Sequence, residues 1–304
     1  VLRFGGSGCN VRNHSFNLVF HKLGDNRELL DEALRVASRS DIIVAALGEC
    51  AEMSGESASR TSLEIPDAQQ DLLKALVKTG KPVVLLLFTG RPLVLNWEDA
   101  NVHSILNVWF GGSETGDAVA DVLFGKITPS GKLTTTFPRS VGQLPLFYNH
   151  LNTGRPDPDS RMFNRYASNY LDESNEPLYP FGYGLSYTDF VYGELQISSE
   201  TLPKNGELTV SVTVTNKGNY DGYETVQLYL HDIYAEIARP VKELKGFERV
   251  FLKSGESRDV KFVITEDDLK FYNSELHYVY EPGEFDVMVG PNSRDVQTKS
   301  FQAK

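Results

Sequence analysis

Several things that would settle a protein's class early are scarce in this chain. It carries only two cysteines, Cys9 and Cys50, in 304 residues, too few for a disulfide framework. The two could pair, but burial as small hydrophobes is the expected state. There is no C-x-x-C, and the six histidines are scattered, so neither a structural metal site nor a cofactor is expected. No apolar run approaches the roughly 18 residues that span a bilayer, so no membrane partner is expected. Basic residues are outnumbered, with 30 Lys and Arg against 41 Asp and Glu and a net charge of -11. That balance argues against a nucleic-acid partner, which would want a basic face. Nor does Val1 begin a secretory leader. VLRFGGSGCNV reads as strand and turn already inside a domain, so a processed or truncated polypeptide is expected.

A hydrophobic content of 40% with 11% aromatics is that of a folded chain with room for two cores. The central stretch is DIIVAALGECAEMSGESASRTSLEIP, 41–66. Residues 41–47 read as a strand buried on both faces, as in a parallel sheet covered by helices. The chain then breaks at Gly48 into a polar loop with Glu49, Glu52 and Glu56, beside Arg60. Loops after the carboxyl ends of parallel strands are where open α/β sheets bind ligands. Three carboxylates there are the best candidate for chemistry, although such a loop on its own is more often a solvated surface.

Helix and strand alternate around this loop. NRELLDEALRVASR, 26–39, puts Leu29, Leu30, Ala33, Leu34 and Ala37 on one helical face. Pro66 or Asp67 starts a second helix that Gly80 can end in a left-handed conformation. Residues 82–88 and 104–110 read as further strands, and 113–125 as a helix capped by Ser113. This alternation indicates an α/β layer with a mainly parallel sheet, assigned to 1–140. Residues 141–190 are rich in Pro, Asn, Asp and Tyr without a period, too long for an ordinary connection, and read as an interdomain strap. Its end, YPFGYGLSY at 179–187, reads as a hinge docked between layers. From 191 to 304 the period becomes two, as in LTVSVTVTN, TVQLYLHD, RDVKFVIT and EFDVMVG. About seven short strands in that span fit an antiparallel β-sandwich of the fibronectin type III kind.

The order of these parts, with SGESASR (54–60), TGRPL (89–93), WFGGSETGDAVADVLFG (109–125), PSGKLTTTFPRS (129–140), YPFGYGLSY and RPVKELKGFERVFLKSGE (239–256), resembles the C-terminal half of glycoside hydrolase family 3, bacterial periplasmic β-glucosidases above all. The resemblance implies that 1–140 is an α/β sandwich domain expected to lack its first elements, with an active site shared with an N-terminal TIM barrel, which supplies the nucleophilic aspartate, while the α/β domain supplies an acid/base glutamate on a loop. Ser54, Gly55, Glu56 and Arg60 match that loop, so Glu56 inherits the acid/base role. Met53, Ser54 and Arg60 become candidates for substrate contact, with Arg60 more readily read as a structural ion pair. Glu52 is the runner-up acid, and Glu49 is read as a structural hydrogen-bond acceptor.

The implied activity is a retaining, exo-acting β-glucosidase acting on a β-glucoside or oligosaccharide, periplasmic or secreted. The barrel half is its required partner, a homodimer is compatible with it, and the chain alone is expected to be inactive. A β-xylosidase or β-glucanase specificity stays open. The rival reading is a non-catalytic carbohydrate-binding or assembly module. Trp97, Trp109 and the 179–187 aromatics could stack on sugar, but core and interdomain packing is the expectation for each. The Gly111–Gly112 pair reads as tight packing before a helix rather than an anion cradle. His150 and Asn152 in the strap are expected to approach the cleft.

Overall fold

The computed structural model describes residues 2–6, 16–20, 26–156 and 165–304; Cys9 lies outside them. Two short strands, β1 (Leu2–Gly6) and β2 (Phe16–Phe20), form an antiparallel pair. There follow α1 (Asn26–Ser38), β3 (Ile43–Gly48), α2 (Asp67–Val77), β4 (Val83–Phe88), α3 (Asn96–Asn101), β5 (Ser104–Asn107) and α4 (Thr115–Leu123). The three strands β3, β4 and β5 make one parallel sheet with β4 in the middle, in the register Ile43 to Val83 and Leu85 to Ile105. Parallel neighbours need a crossover between them, and α2 and α3 supply it.

Burial separates the central strand from its neighbours. In β4, Val83, Leu85, Leu86 and Leu87 are buried, so the strand is covered on both faces. β3 departs from the expected two-sided burial. Ile43, Ala45 and Leu47 are buried, whereas Ile42 and Val44 are 60% and 50% exposed. It lies at the edge of the three-stranded sheet, where only the face toward α1 and α2 is filled. Leu29, expected on the buried face of α1, is exposed, while Ala37 does enter the core. Two further expectations are corrected, at the start of α4 and at the strand over 104–110. The short α3 was not read from the sequence at all. The N-cap of α4 is Glu114, without a capping side chain, rather than Ser113. The strand expected over 104–110 stops at Asn107, because Trp109 takes φ +57 and turns the chain away.

The second half holds β6 (Phe190–Tyr192), β7 (Gln196–Ile197), β8 (Thr201–Leu202), β9 (Leu208–Asn216), β10 (Gly222–Asp232), β11 (Glu243–Leu252), β12 (Ser257–Ile264), α5 (Glu266–Leu269), β13 (Phe271–Tyr272), β14 (Tyr278–Val279), β15 (Gly283–Gly290) and β16 (Gln297–Ala303). One sheet runs β11-β10-β15-β16-β8, the other β12-β9-β6 with β7 also on β9. Between them Val210, Val212, Val214, Val226, Leu228, Leu230, Val287, Val289 and their neighbours form one apolar core. Every second residue of β9 is buried, which is the pleat expressed as burial.

Residues between the two cores fasten one to the other. Phe181 stacks on Tyr148 at 4.3 Å, and Tyr179 stacks on Tyr183 at 5.3 Å. Gly182 accepts from Gln227 Nε2 at 3.1 Å, and a Cβ on Gly182 would stand 2.0 Å from Gln227 Oε1. Lys132 Nζ lies 3.2 Å from the buried Glu224 carboxylate, which also accepts from Tyr192 at 2.8 Å. Tyr179 donates to Asp99 at 2.6 Å and Tyr187 to the Val122 carbonyl at 2.9 Å. The aromatics of 179–187 therefore work as interlayer packing.

Asp232, at the end of β10, has both carboxylate oxygens buried. Burial, with Glu281 and Glu243 nearby, outweighs the charge of Arg239 and the backbone N–H of Tyr234 and pushes its pKa up to about 6. A carboxyl raised on folding costs stability as pH climbs from its unfolded value toward 6 and costs nothing below it. Asp232→Asn should therefore raise the melting temperature at pH 7.5 by roughly 3–5 °C. The gain should vanish by about pH 4, in paired thermal melts at the two pH values.

Candidate active site

The loop after β3 begins with a backbone that only glycine can supply. Gly48 has φ +138, and a Cβ there would sit 1.8 Å from the Phe88 carbonyl oxygen of the adjacent strand. The Gln69 side chain from α2 continues the strand pairing: it accepts from Gly48 N at 2.7 Å and donates to Gly48 O at 3.0 Å. The end of β3 is thus locked between β4 and α2.

Glu49 is the next residue, and its side chain is wholly buried. It accepts from Arg60 Nη1 at 2.8 Å, Thr89 Oγ1 at 2.9 Å and Gly90 N at 3.1 Å, and Arg91 Nε stands 3.1 Å away as an ion pair. Burial would raise its pKa. The bonds from Arg60, Gly90 and Thr89 and the charge of Arg91 outweigh burial and hold the carboxyl below its ordinary value. Glu49 is thus a structural acceptor, as read from its position against the strand end, and Arg60 is committed to Glu49, with Nη2 on the Glu64 carbonyl at 3.0 Å.

Beyond Glu49 the loop makes a single 3₁₀ turn, Ala51–Met53, and then a tight bend in which Gly55 has φ +124 and Ser57 φ +59. Glu56 lies between these two left-handed residues. It is exposed and has no hydrogen-bond or ion-pair partner among the described residues. Arg91 Nη2 donates to the Met53 carbonyl and, at 2.9 Å, to the Ala58 carbonyl, so one guanidinium holds the bend on both sides of Glu56. Ser54 lies against Gly90, where a Cβ would come 2.0 Å from Ser54 Oγ. Met53 and Ser54 are half-buried at the foot of the bend. Glu52 is exposed, and its pKa is lowered by its own backbone N–H and by the Cys50 thiol. Cys50 is itself exposed and free, which corrects its expected burial. It stands just past the strand end, where the chain has already left the core.

The remaining candidates lie elsewhere. Trp109 packs on Phe137 at 5.8 Å. Trp97 packs on the α/β core under the Lys74 ammonium, 5.6 Å from its ring centre. It also lines a cleft of about 720 Å³ with Glu64, Asp71, Glu98 and Arg139, to which no residue of the 49–60 loop contributes. The Gly111–Gly112 pair gives close packing, since a Cβ on Gly111 would strike Thr115. His150 hands its carbonyl to Val241 N at 2.9 Å and lines a cleft between strap and sandwich rather than the glutamate loop. Among the described residues no cluster of His, Cys, Asp and Glu could hold a metal, and no helix is long and apolar enough to cross a membrane. Arg91 was missed in the sequence reading. A single arginine after a strand carries no periodic signal, and its reach across to residues 53 and 58 exists only in three dimensions.

Two substitutions test this geometry. Glu49→Gln leaves Arg60 and Arg91 short of a counter-charge at a half-buried site and should cost about 2–3 kcal/mol in denaturant unfolding at pH 7. A carboxyl lowered on folding contributes stability at pH values above its unfolded pKa and loses it as pH falls through the folded one. The gap between variant and parent should therefore close at pH values well below 4.5. Gly48→Ala should destabilise by about 3 kcal/mol or more, read as a lost or sharply lowered melting transition.

Comparison with known proteins agrees with this architecture. The glycosyl hydrolase family 3 C-terminal domain matches residues 6–187, and a fibronectin type III-like domain matches 224–293. The chain is 50% identical over 274 residues to a periplasmic beta-glucosidase of Salmonella typhimurium, covering 90% of this chain and 36% of that protein. It is 42% identical over 299 residues to a beta-xylosidase of Formosa agariphila, covering 98% of this chain and 39% of the relative. The crystal structure of a beta-glucosidase from Listeria innocua in complex with glucose superposes with a TM-score of 0.84 at 44% identity, over 90% of this chain and 38% of that one. The chain thus spans well under half the length of these relatives. With an α/β domain of the matched type over most of its first 187 residues and a fibronectin type III-like sandwich after it, this chain belongs to glycoside hydrolase family 3.

Proposed function

We propose that this chain is the acid/base half of a retaining, exo-acting β-glycosidase that removes terminal β-D-glucosyl residues, with Glu56 as the proton donor and acceptor. The observation that carries the reading is the contrast among the three loop carboxylates. Glu49 is buried and fully engaged. Glu52 is held below its ordinary pKa, which disfavours proton donation. Glu56 alone stands exposed on a clamped bend beyond the carboxyl end of a parallel strand, without a partner of its own.

In a retaining mechanism one carboxyl protonates the glycosidic oxygen while a second, about 5–5.5 Å away, attacks the anomeric carbon. Glu56 takes the first role and then deprotonates the water that hydrolyses the glycosyl-enzyme. The nucleophile is assigned to an aspartate of an N-terminal TIM barrel. That barrel would cover the bend and exclude water from Glu56. Met53 and Ser54, at the foot of the bend, are placed on the leaving-group side, whereas Arg60 acts through Glu49. β-Glucosidase is the favoured specificity, given the Salmonella and Listeria relatives; the Formosa relative, a beta-xylosidase, makes β-xyloside cleavage the second reading. The Salmonella relative is periplasmic, which supports a periplasmic or secreted location.

The test is Glu56→Gln in the full-length protein, assayed on cellobiose and on dinitrophenyl β-glucoside, whose leaving group needs no proton. Cellobiose kcat/KM should fall about 10²–10⁴-fold while kcat/KM on the activated substrate falls far less. Unchanged cellobiose turnover would remove Glu56 from the mechanism.

A further inference from the structure

The acid/base bend is built from residues that hold it poorly by themselves. Between Met53 and Ala58 the local backbone bonds are long, Ser54 N to Ala51 O at 3.4 Å and Ala58 N to Gly55 O at 3.3 Å. Gly55 adopts its positive φ freely, but Ser57 is also left-handed, which a non-glycine residue in a short exposed loop keeps only when its surroundings over-determine it. None of the bend's side chains reaches the core as an anchor; Met53 and Ser54 are half-buried and Glu56 is exposed.

What ties the bend to the sheet is one side chain from the turn after β4. Arg91 follows β4 by three residues. Its Nη2 donates to the carbonyls of Met53 and Ala58, three residues before Glu56 and two after it. Its Nε faces the buried Glu49 carboxylate at 3.1 Å, and that carboxylate is fixed in turn by Thr89, Gly90 and Arg60. The guanidinium is planar, always charged and presents its donors in a rigid fork, so two carbonyls bound to it are held relative to each other as well as to the sheet. Gly90 completes the fit, because any Cβ there would displace Ser54 and the neighbouring Phe110 ring.

We propose that Arg91 is the positioning residue of the acid/base loop: held by Glu49, it clamps the carbonyls on both sides of Glu56 and so sets where that carboxyl meets the glycosidic oxygen. Lysine keeps the charge, but its single ammonium nitrogen cannot face Glu49 and hold both carbonyls in one fixed geometry, as the separate Nε and Nη2 of Arg91 do. Displacement of a reacting group by about 1 Å costs up to about 10²-fold in rate, and only a reaction that uses the group feels it.

The proposal rests on the acid/base reading of Glu56, and the experiment separates the two. In the full-length protein, Arg91→Lys and Arg91→Met are compared with Glu56→Gln for kcat/KM on cellobiose and on dinitrophenyl β-glucoside, and for amide hydrogen exchange over residues 51–59. The expected result for Arg91→Lys is a cellobiose kcat/KM lowered about 10–100-fold, with the activated substrate within about 3-fold of the parent enzyme and faster exchange across the bend. A purely structural loss of active protein would lower both substrates by the same factor and leave their ratio intact. That outcome, or unchanged exchange over 51–59, overturns the proposal. Arg91→Lys keeps a cation opposite Glu49 and so remains the deciding variant if Arg91→Met does not fold. If Glu56→Gln leaves the substrate ratio unchanged, the acid/base reading falls. Hydrogen exchange in Arg91→Lys still decides whether Arg91 anchors the bend.

Discussion

A carboxylate with no access to water must be surrounded by donors, and Glu49 is that carboxylate. Its needs bring together residues that the chain keeps apart: Arg60 from eleven positions on, and Thr89, Gly90 and Arg91 from the turn after the next strand. The buried charge is matched by two guanidinium groups and satisfied by a hydroxyl and a backbone N–H, the condition under which burying an ion is tolerable. Arg91, oriented by that carboxylate, has donors to spare and turns them on the loop that carries Glu56. The exposed bend thereby inherits its order from a buried charge.

The site is open because of where it stands. Its loop leaves the carboxyl end of β3, an edge strand with one filled face, and nothing among the described residues covers Glu56. The α/β layer is joined to the sandwich through Tyr179 on Asp99, Lys132 on the buried Glu224 and Gln227 on the Gly182 carbonyl. The sandwich has its own core, from Leu195 to Ala303, separate from the one around β4. It lends the α/β layer a rigid neighbour without supplying a residue to the glutamate loop.

Legibility in the sequence followed periodicity. β9 was readable to the residue, because alternating Leu, Val, Val, Val against Thr and Ser can hardly be anything else at a sandwich core. The second helix and its left-handed Gly80 were legible from their end signals. The failures lay where pattern and context part company. Residues 41–47 are apolar throughout and were read as covered on both faces, yet coverage depends on neighbours that no local pattern specifies. Leu29 fits its helical stripe and still faces outward. Cys50 has the chemistry of a buried residue but sits one step beyond the core. Helix α3, six residues long, offers too few turns for a period to show.

By itself, then, the amino-acid sequence determined the class of both halves, the place of the glutamate loop at the end of a parallel strand, and its likeness to family 3, since each is written in local period, turn chemistry or short strings of residues. Only the tertiary structure decided which carboxylate is buried and which is free, and that Arg91 rather than Arg60 holds the bend. Such assignments depend on distances between residues some forty positions apart, set by the pairing of β3 with β4. Burial and ion pairing are properties of that assembled neighbourhood, and no stretch of chain carries them alone.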